Sequence, residues 1–255
     1  MVPIPVGDDN PTLRTAWGTY FLLALTFAVW FLVQGAGLSV EELARTVCNY
    51  GMVPGELTHL ARLGTAVALD ARHVCVVDSE PINLLTPLLS IFLHGGWLHL
   101  LGNCLFLWVF GNNVEDSIGR LRFILFYLVC GLAAAAAQIA IEPASPAPMV
   151  GASGAIAGVL GAYLVLYPRA RVKVFIPPIP WLFRVPAWIV LLLWFGYQLL
   201  AGLPQLALGK SVAEGVAVWA HIGGFIAGVV LVRLFVNPVL ASERSVLERR
   251  RVRYS

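Results

Sequence analysis

Long runs of apolar residues, broken by short polar or proline-rich stretches, divide this chain. Inside a bilayer no backbone group can turn to water, so a segment that crosses must satisfy itself as a helix. About 20 apolar residues are needed for roughly 30 Å of hydrocarbon. Six stretches meet or approach that length: residues 16–35 (AWGTYFLLALTFAVWFLVQG), 97–112 (opening WLHLLGNCLFLWVFG), 123–141, the run SGAIAGVLGAYLVLYP that starts at Ser153, 187–202 and 215–236. The pattern predicts an all-α membrane protein with six transmembrane helices and a long outer loop, 36–96, between spans 1 and 2. The first run exceeds the roughly 7–15 apolar residues of a secretory signal and is read as a span. Residues 1–15 are then a short N-terminal segment, 16–236 the membrane domain and 237–255 a basic tail.

Within the long loop, VEELART, MVPGELTHLARLG and PINLLTPLLSIFLHGG have the apolar clustering of amphipathic pieces lying at a membrane interface. The segment VFIPPIPWLFRVP (174–186) holds too many prolines for a span and reads as an interfacial turn.

Composition agrees with the pattern: 59% of residues are hydrophobic, 12% are charged, and the mean hydropathy is +0.81. That balance excludes a water-soluble monomer. With six spans, 13 of the 17 Lys and Arg residues fall on one side, among them Arg14, Arg120, Arg122, Arg169, Arg171, Lys173, Arg184 and Arg233. Only Arg45, Arg62, Arg72 and Lys210 fall on the other. Positive charge marks the cytoplasmic side, which places both termini there and the long loop outside. The tail ERRRVR (248–253) is part of the same signal. Cys104 and Cys130 lie within spans as small core residues, whereas Cys48 and Cys75 share the outer loop, where oxidising conditions permit a bridge. Whether they pair depends on a Cα separation that sequence does not supply. No Cys and His spacing suggests a metal, and nothing points to a cofactor or to nucleic acid; the lipid bilayer is the evident surrounding.

An ionisable or polar side chain inside a span is costly and therefore a functional candidate. His99 and Asn103 in span two, Ser153 opening span four and His221 in span six stand out. Each alone has a plainer reading, since a membrane Ser bonds its own helix and Asn or His joins neighbouring helices. Ser153 lies in Gly151-Ala152-Ser153-Gly154, at a helix N-terminus whose first amides lack intrahelical partners. Such a place stabilises an oxyanion. Span four is short, about 22 Å at about 1.5 Å per residue, so it begins below the membrane surface. The preceding PASPAPMVGA segment must then line a wet cavity. His221 enters from the same side, roughly 9 Å down, level with Ser153. Gly154, Gly158 and Gly161 on span four and Gly224 and Gly228 on span six allow the two helices to approach closely. His221 is then the base that activates Ser153. No carboxylate is placed to make a triad, Glu214 being about 10 Å along the helix. His99 and Asn103, at i and i+4, share a face and offer donors that complete an oxyanion hole with the Ser153 amide. Pairing His94 with His99 as a metal site lacks a third ligand.

The strings HGGWLHLLGN (94–103), GNNVEDSIGRLRF (111–123), GASGAIAGVLGAYL (151–164) and AHIGGFIAG (220–228), in this order, resemble the bacterial-type rhomboid intramembrane serine proteases. The resemblance implies a six-helix bundle, a Ser153–His221 dyad acting through an acyl-enzyme, oxyanion stabilisation by His99, Asn103 and the Ser153 backbone, and substrates that are themselves transmembrane proteins. It implies an integral multi-pass protein of the bacterial inner membrane and leaves the oligomeric state open. Two departures stand out. Some members carry a Tyr four residues after the nucleophile that stacks on the catalytic His; here that position is Ala157. Some carry a Trp-Arg pair in the outer loop, which is missing here. An inactive relative that binds membrane helices would be expected to lack Ser153 or His221. A transporter would carry polar residues across the whole bilayer rather than near one face.

Overall fold

The computed structural model describes residues 4–78, 83–208, 217–240 and 242–243, most of them helical. Lys210, Glu214 and the basic tail 248–253 lie outside the described residues. A strand, β1 (Ile4–Asp8), precedes the first long helix, α1 (Trp17–Leu32). The long connection that follows carries α2 (Val40–Tyr50), α3 (Pro54–Leu57), the hairpin of β2 (Ala66–Ala68) and β3 (Val74–Val76), and α4 (Thr86–Leu89). Next come α5 (Trp97–Ile118), α6 (Arg120–Ile141) and α7 (Ser153–Leu166), then β4 (Arg171–Ile176), β5 (Ile179–Pro186), α8 (Ala187–Leu208) and α9 (Val218–Phe235). Among the described residues, α6 and α9 are long and apolar enough to cross a membrane. Thr86–Phe92 and Trp97–Ile118, bent by 89°, make a third if they form one span, and α1, α7 and Ala187–Leu203 are shorter apolar helices.

α5 runs one and a half turns beyond the apolar stretch, and buried carboxylates explain why. Glu115 accepts hydrogen bonds from the Gly18 and Thr19 amides at 2.8 and 2.7 Å and from the Thr19 hydroxyl at 2.8 Å. These are first-turn amides of α1, which lack intrahelical partners and favour a negative charge. Asp116 likewise accepts from the Leu13 and Arg14 amides at 3.1 and 3.2 Å and pairs with the Arg14 guanidinium at 3.5 Å. The polar letters that end the apolar run thus dock α1 onto α5. Gly119, at φ +90°, then turns the chain into α6, a conformation glycine adopts without strain.

The core lies where α5, α6, α7 and α9 meet, around Phe110, Phe123, Phe126, Tyr127, Tyr163 and Phe225. Glycine lets the helices touch backbone to backbone. A Cβ at Gly224 would fall on the Gly154 carbonyl oxygen, one at Gly228 on that of Gly158, and one at Gly161 on that of Phe225, all far inside van der Waals contact. A Cβ on Gly154 would lie 2.6 Å from the Ala134 Cβ of α6.

Residues 174–186, expected as a turn, form most of a β-hairpin instead. β1, β4 and β5 make an antiparallel sheet with Ile4 opposite Phe175 and Val174 opposite Phe183. Proline is tolerated at strand starts and edges, and β5 begins and ends near its prolines. Asp9 pairs with Lys173 at 3.0 Å and Arg184 at 3.4 Å; the Lys173 hydrogen bond, against some desolvation, holds the Asp9 carboxyl below its usual range. Asp8 reaches into the helices, accepting from the Tyr163 hydroxyl and from Asn113 Nδ2.

Candidate active site

The segment before Ser153 is strapped to the long connection. Met52 and Met149 exchange backbone hydrogen bonds of 2.9 and 2.8 Å, and the Gly55 amide donates to the Ser145 carbonyl at 2.8 Å. Cys48 and Cys75 are disulfide-bonded with Cα atoms 5.3 Å apart, which answers the question the sequence left open and ties α2 to β3. The Gly151 amide donates to Ser90 O at 2.9 Å, and Gly151 takes a φ of +126°. The next residues enter α7, whose first residue is Ser153.

His221 lies in the first turn of α9, and both it and Ser153 are half-buried. The glycine contact between α7 and α9 brings their backbones close enough for the side chains to meet. His221 Nε2 is 2.7 Å from Ser153 Oγ. A hydroxyl at that distance from an imidazole nitrogen can pass its proton along the hydrogen bond, the geometry required of a nucleophile and its base. The start of α9 is itself anchored by Gln138 of α6, whose Oε1 accepts from the Ala220 amide at 3.2 Å.

His99 and Asn103, on successive turns of α5, converge on the backbone just before Ser153. A Cβ built on Gly151 would lie 2.7 Å from His99 Nε2 and 3.7 Å from Asn103 Nδ2. His99 Nδ1 faces the Gly95 amide at 3.4 Å and accepts from it, which leaves the ring proton on Nε2, toward Gly151. Asn103 is buried, and its Nδ2 has no hydrogen-bond partner among the described residues. His94 is buried against His99 with ring centroids 5.1 Å apart, its backbone clasped by Gln34 at 2.8 and 2.9 Å. Among the described residues no cluster of three or more His, Cys, Asp or Glu is arranged to hold a metal.

The other face of His221 meets α8. Nδ1 is 3.0 Å from Gln198 Oε1, and the Trp194 ring lies 5.9 Å away, tilted 40°. Neither residue stood out in the sequence, nor did Gln138. The rule that singled out His99 and Asn103, a polar side chain inside an apolar helix, applies equally to both glutamines.

Comparison with known proteins adds an independent finding. The family model described as "Rhomboid domain" matches residues 79–238, more than half of the chain. "Rhomboid protease GluP" of Bacillus subtilis is 32% identical over 210 residues, covering 82% of this chain and 33% of that protein. "RHOMBOID-like protein 4" of Arabidopsis thaliana is 33% identical over 178 residues, 70% of this chain and 39% of that protein. "Rhomboid protein 1, mitochondrial" of Saccharomyces cerevisiae is 32% identical over 149 residues, 55% of this chain and 38% of that protein. The chain therefore spans only 33–39% of the length of these relatives.

Proposed function

The chain belongs to the rhomboid family, and from that premise we propose that it is an intramembrane serine endopeptidase in which Ser153 is the nucleophile and His221 its base. The observation that carries this reading is the 2.7 Å contact between Ser153 Oγ and His221 Nε2.

The geometry supports the following reaction. Ser153 Oγ attacks the carbonyl carbon of the scissile peptide bond while its proton passes to Nε2 of His221. Negative charge develops on the carbonyl oxygen, and Asn103 Nδ2, His99 Nε2 and the Ser153 amide are the donors that meet it. An unpaired buried donor such as Asn103 Nδ2 gains most when that charge appears, so the interaction favours the transition state over bound substrate. Imidazolium then protonates the leaving nitrogen, the C–N bond breaks, and an acyl-Ser153 ester remains. Water, deprotonated by His221, attacks the ester, and collapse of the second tetrahedral species returns the proton to Ser153 Oγ. No metal or organic cofactor takes part.

The membrane arrangement belongs to the same proposal. α1, the bent α4–α5 pair, α6, α7, α8 and α9 are the six crossings, and the three short apolar helices are accommodated by tilt and by local thinning of the bilayer. Both termini face the cytoplasm of a bacterial inner membrane, the long connection faces outward, and the substrates are transmembrane proteins cut near the outer surface.

The test is cleavage of a model transmembrane substrate by detergent-purified protein, alongside labelling by a fluorophosphonate. Ser153→Ala and His221→Ala each abolish cleavage at normal expression and melting temperature, only the parent protein is labelled efficiently, and EDTA has no effect. Cleavage retained by Ser153→Ala would overturn the assignment.

A further inference from the structure

A histidine base next to a serine works in one tautomer. His221 Nε2, 2.7 Å from Ser153 Oγ, accepts the hydroxyl proton only with a free lone pair, so the ring proton must sit on Nδ1. Nδ1 faces Gln198 Oε1 at 3.0 Å. An amide oxygen accepts and cannot donate, so this contact selects the Nδ1–H form. It also stabilises the imidazolium that forms when the serine is deprotonated, because that cation keeps its Nδ1 proton. Gln198 is buried on α8. A neutral amide there does the work without placing a second charge in the interior, and a carboxyl in its place would be held neutral or paired with the imidazolium 3.0 Å away.

A second contact comes from the same helix. Trp194 and Gln198 are i and i+4 and share one face of α8. The Trp194 ring lies 5.9 Å from the imidazole and 6.1 Å from Phe225, one turn beyond His221 on α9. At residue 157 of α7 there is only a methyl group. We propose that Gln198 is the positioning residue of the base: its amide oxygen holds His221 in the Nδ1–H tautomer while Trp194 limits the ring plane, so that α8 orients the imidazole. This rests on the reading of Ser153 and His221 as nucleophile and base. It follows that any displacement of α8 from α9 removes both contacts at once.

The direct test is nitrogen NMR of full-chain protein labelled with ¹⁵N-histidine, in detergent micelles at neutral pH, with His221 assigned by difference against His221→Ala. The expected spectrum shows a protonated Nδ1 and an unprotonated Nε2 at His221; the opposite tautomer in the unmodified protein overturns the proposal whether or not any variant folds. In kinetics, Gln198→Leu lowers kcat about 10-fold, the upper end of what one buried hydrogen bond contributes, with little change in KM because the contact it loses is with the base. Gln198→Glu, which keeps an acceptor oxygen in place, restores most of kcat. Parental turnover in folded Gln198→Leu, or a Gln198→Glu enzyme as slow as Gln198→Leu, counts against the role. If Ser153→Ala still cleaves, the dyad itself has failed; if Ser153→Ala is inactive while Gln198→Leu is normal, only the role of Gln198 has.

Discussion

Asn103 Nδ2 is a buried donor without a hydrogen-bond partner among the described residues, and it lies beside the backbone that leads into Ser153. Leaving such a group unpaired costs roughly 1–3 kcal/mol, and the cost is recovered if an anionic oxygen forms in front of it during the reaction. Asn103→Ala is therefore expected to lower turnover by about 10²–10³-fold, the usual loss for one oxyanion donor, with a smaller change in KM. His99→Ala should lose less, because His99 is half-buried and water can take the place of its Nε2 donor. Turnover numbers at saturating substrate, on protein with parental melting temperature, check both; a normal value for Asn103→Ala would mean that the side chain only joins helices. These two residues, with Ser153 and His221, were legible in sequence because each is a polar letter in an apolar run. Gln198 obeys the same rule, but its importance comes from facing Nδ1 of a histidine 23 residues away, a juxtaposition that no spacing within one helix encodes.

Helices α7 and α9 meet through glycine, and this contact sets the distance between Ser153 and His221. The five glycines were legible as two matching small faces at three and four residue spacing. Only the fold supplies the severity: the Cβ of any residue at Gly224 or Gly228 would land on a carbonyl oxygen of α7, and one at Gly158 would strike Cys130 of α6. Backbone cannot retreat as a flexible side chain can, so the helices must separate. Overpacking of this kind typically costs about 1–3 kcal/mol and sometimes more. Gly224→Leu and Gly158→Leu are each expected to lower the melting temperature and to slow fluorophosphonate labelling of Ser153, since a separation of even 1 Å breaks the 2.7 Å contact. Thermal melts and labelling rates together check this, and parental values for both variants would remove the packing argument. The β1–β4–β5 sheet was not legible. Its strands pair residues as distant as Ile4 and Phe175, and its prolines read locally as a turn. Nor was the end of α5, because Glu115 and Asp116 look like loop residues until the α1 amides they bind are in view.

Across the whole molecule, the positive-inside pattern and the disulfide make separate claims about the same loop. The orientation proposed from arginine placement has residues 36–96 outside the cytoplasm, and a bond between Cys48 and Cys75 persists only where the surroundings are oxidising. The chain has four cysteines, and Cys104 and Cys130 are free thiols within helices. Protein purified without reductant, denatured and treated with a maleimide of high mass should therefore gain two adducts, and four after reduction. Four adducts without reductant would remove the chemical support for an outward loop and leave its orientation to the charge pattern alone. The bond closes a loop with a sequence separation of 27, for which about 2–4 kcal/mol of stabilisation is typical, so Cys48→Ser should lower the melting temperature measurably. The site should suffer less than the fold. The segment leading to Ser153 is held at Met149 by Met52 and, separately, at Gly151 by Ser90, and the latter bond does not pass through the disulfide-linked region. Well below the melting temperature, the Cys48→Ser protein is expected to react with a fluorophosphonate at close to the parental rate. A loss of labelling as deep as that of His221→Ala, in protein that is still folded, would mean instead that the outer connection sets the geometry of Ser153, and that the register of α7 against α9 is not sufficient to do so.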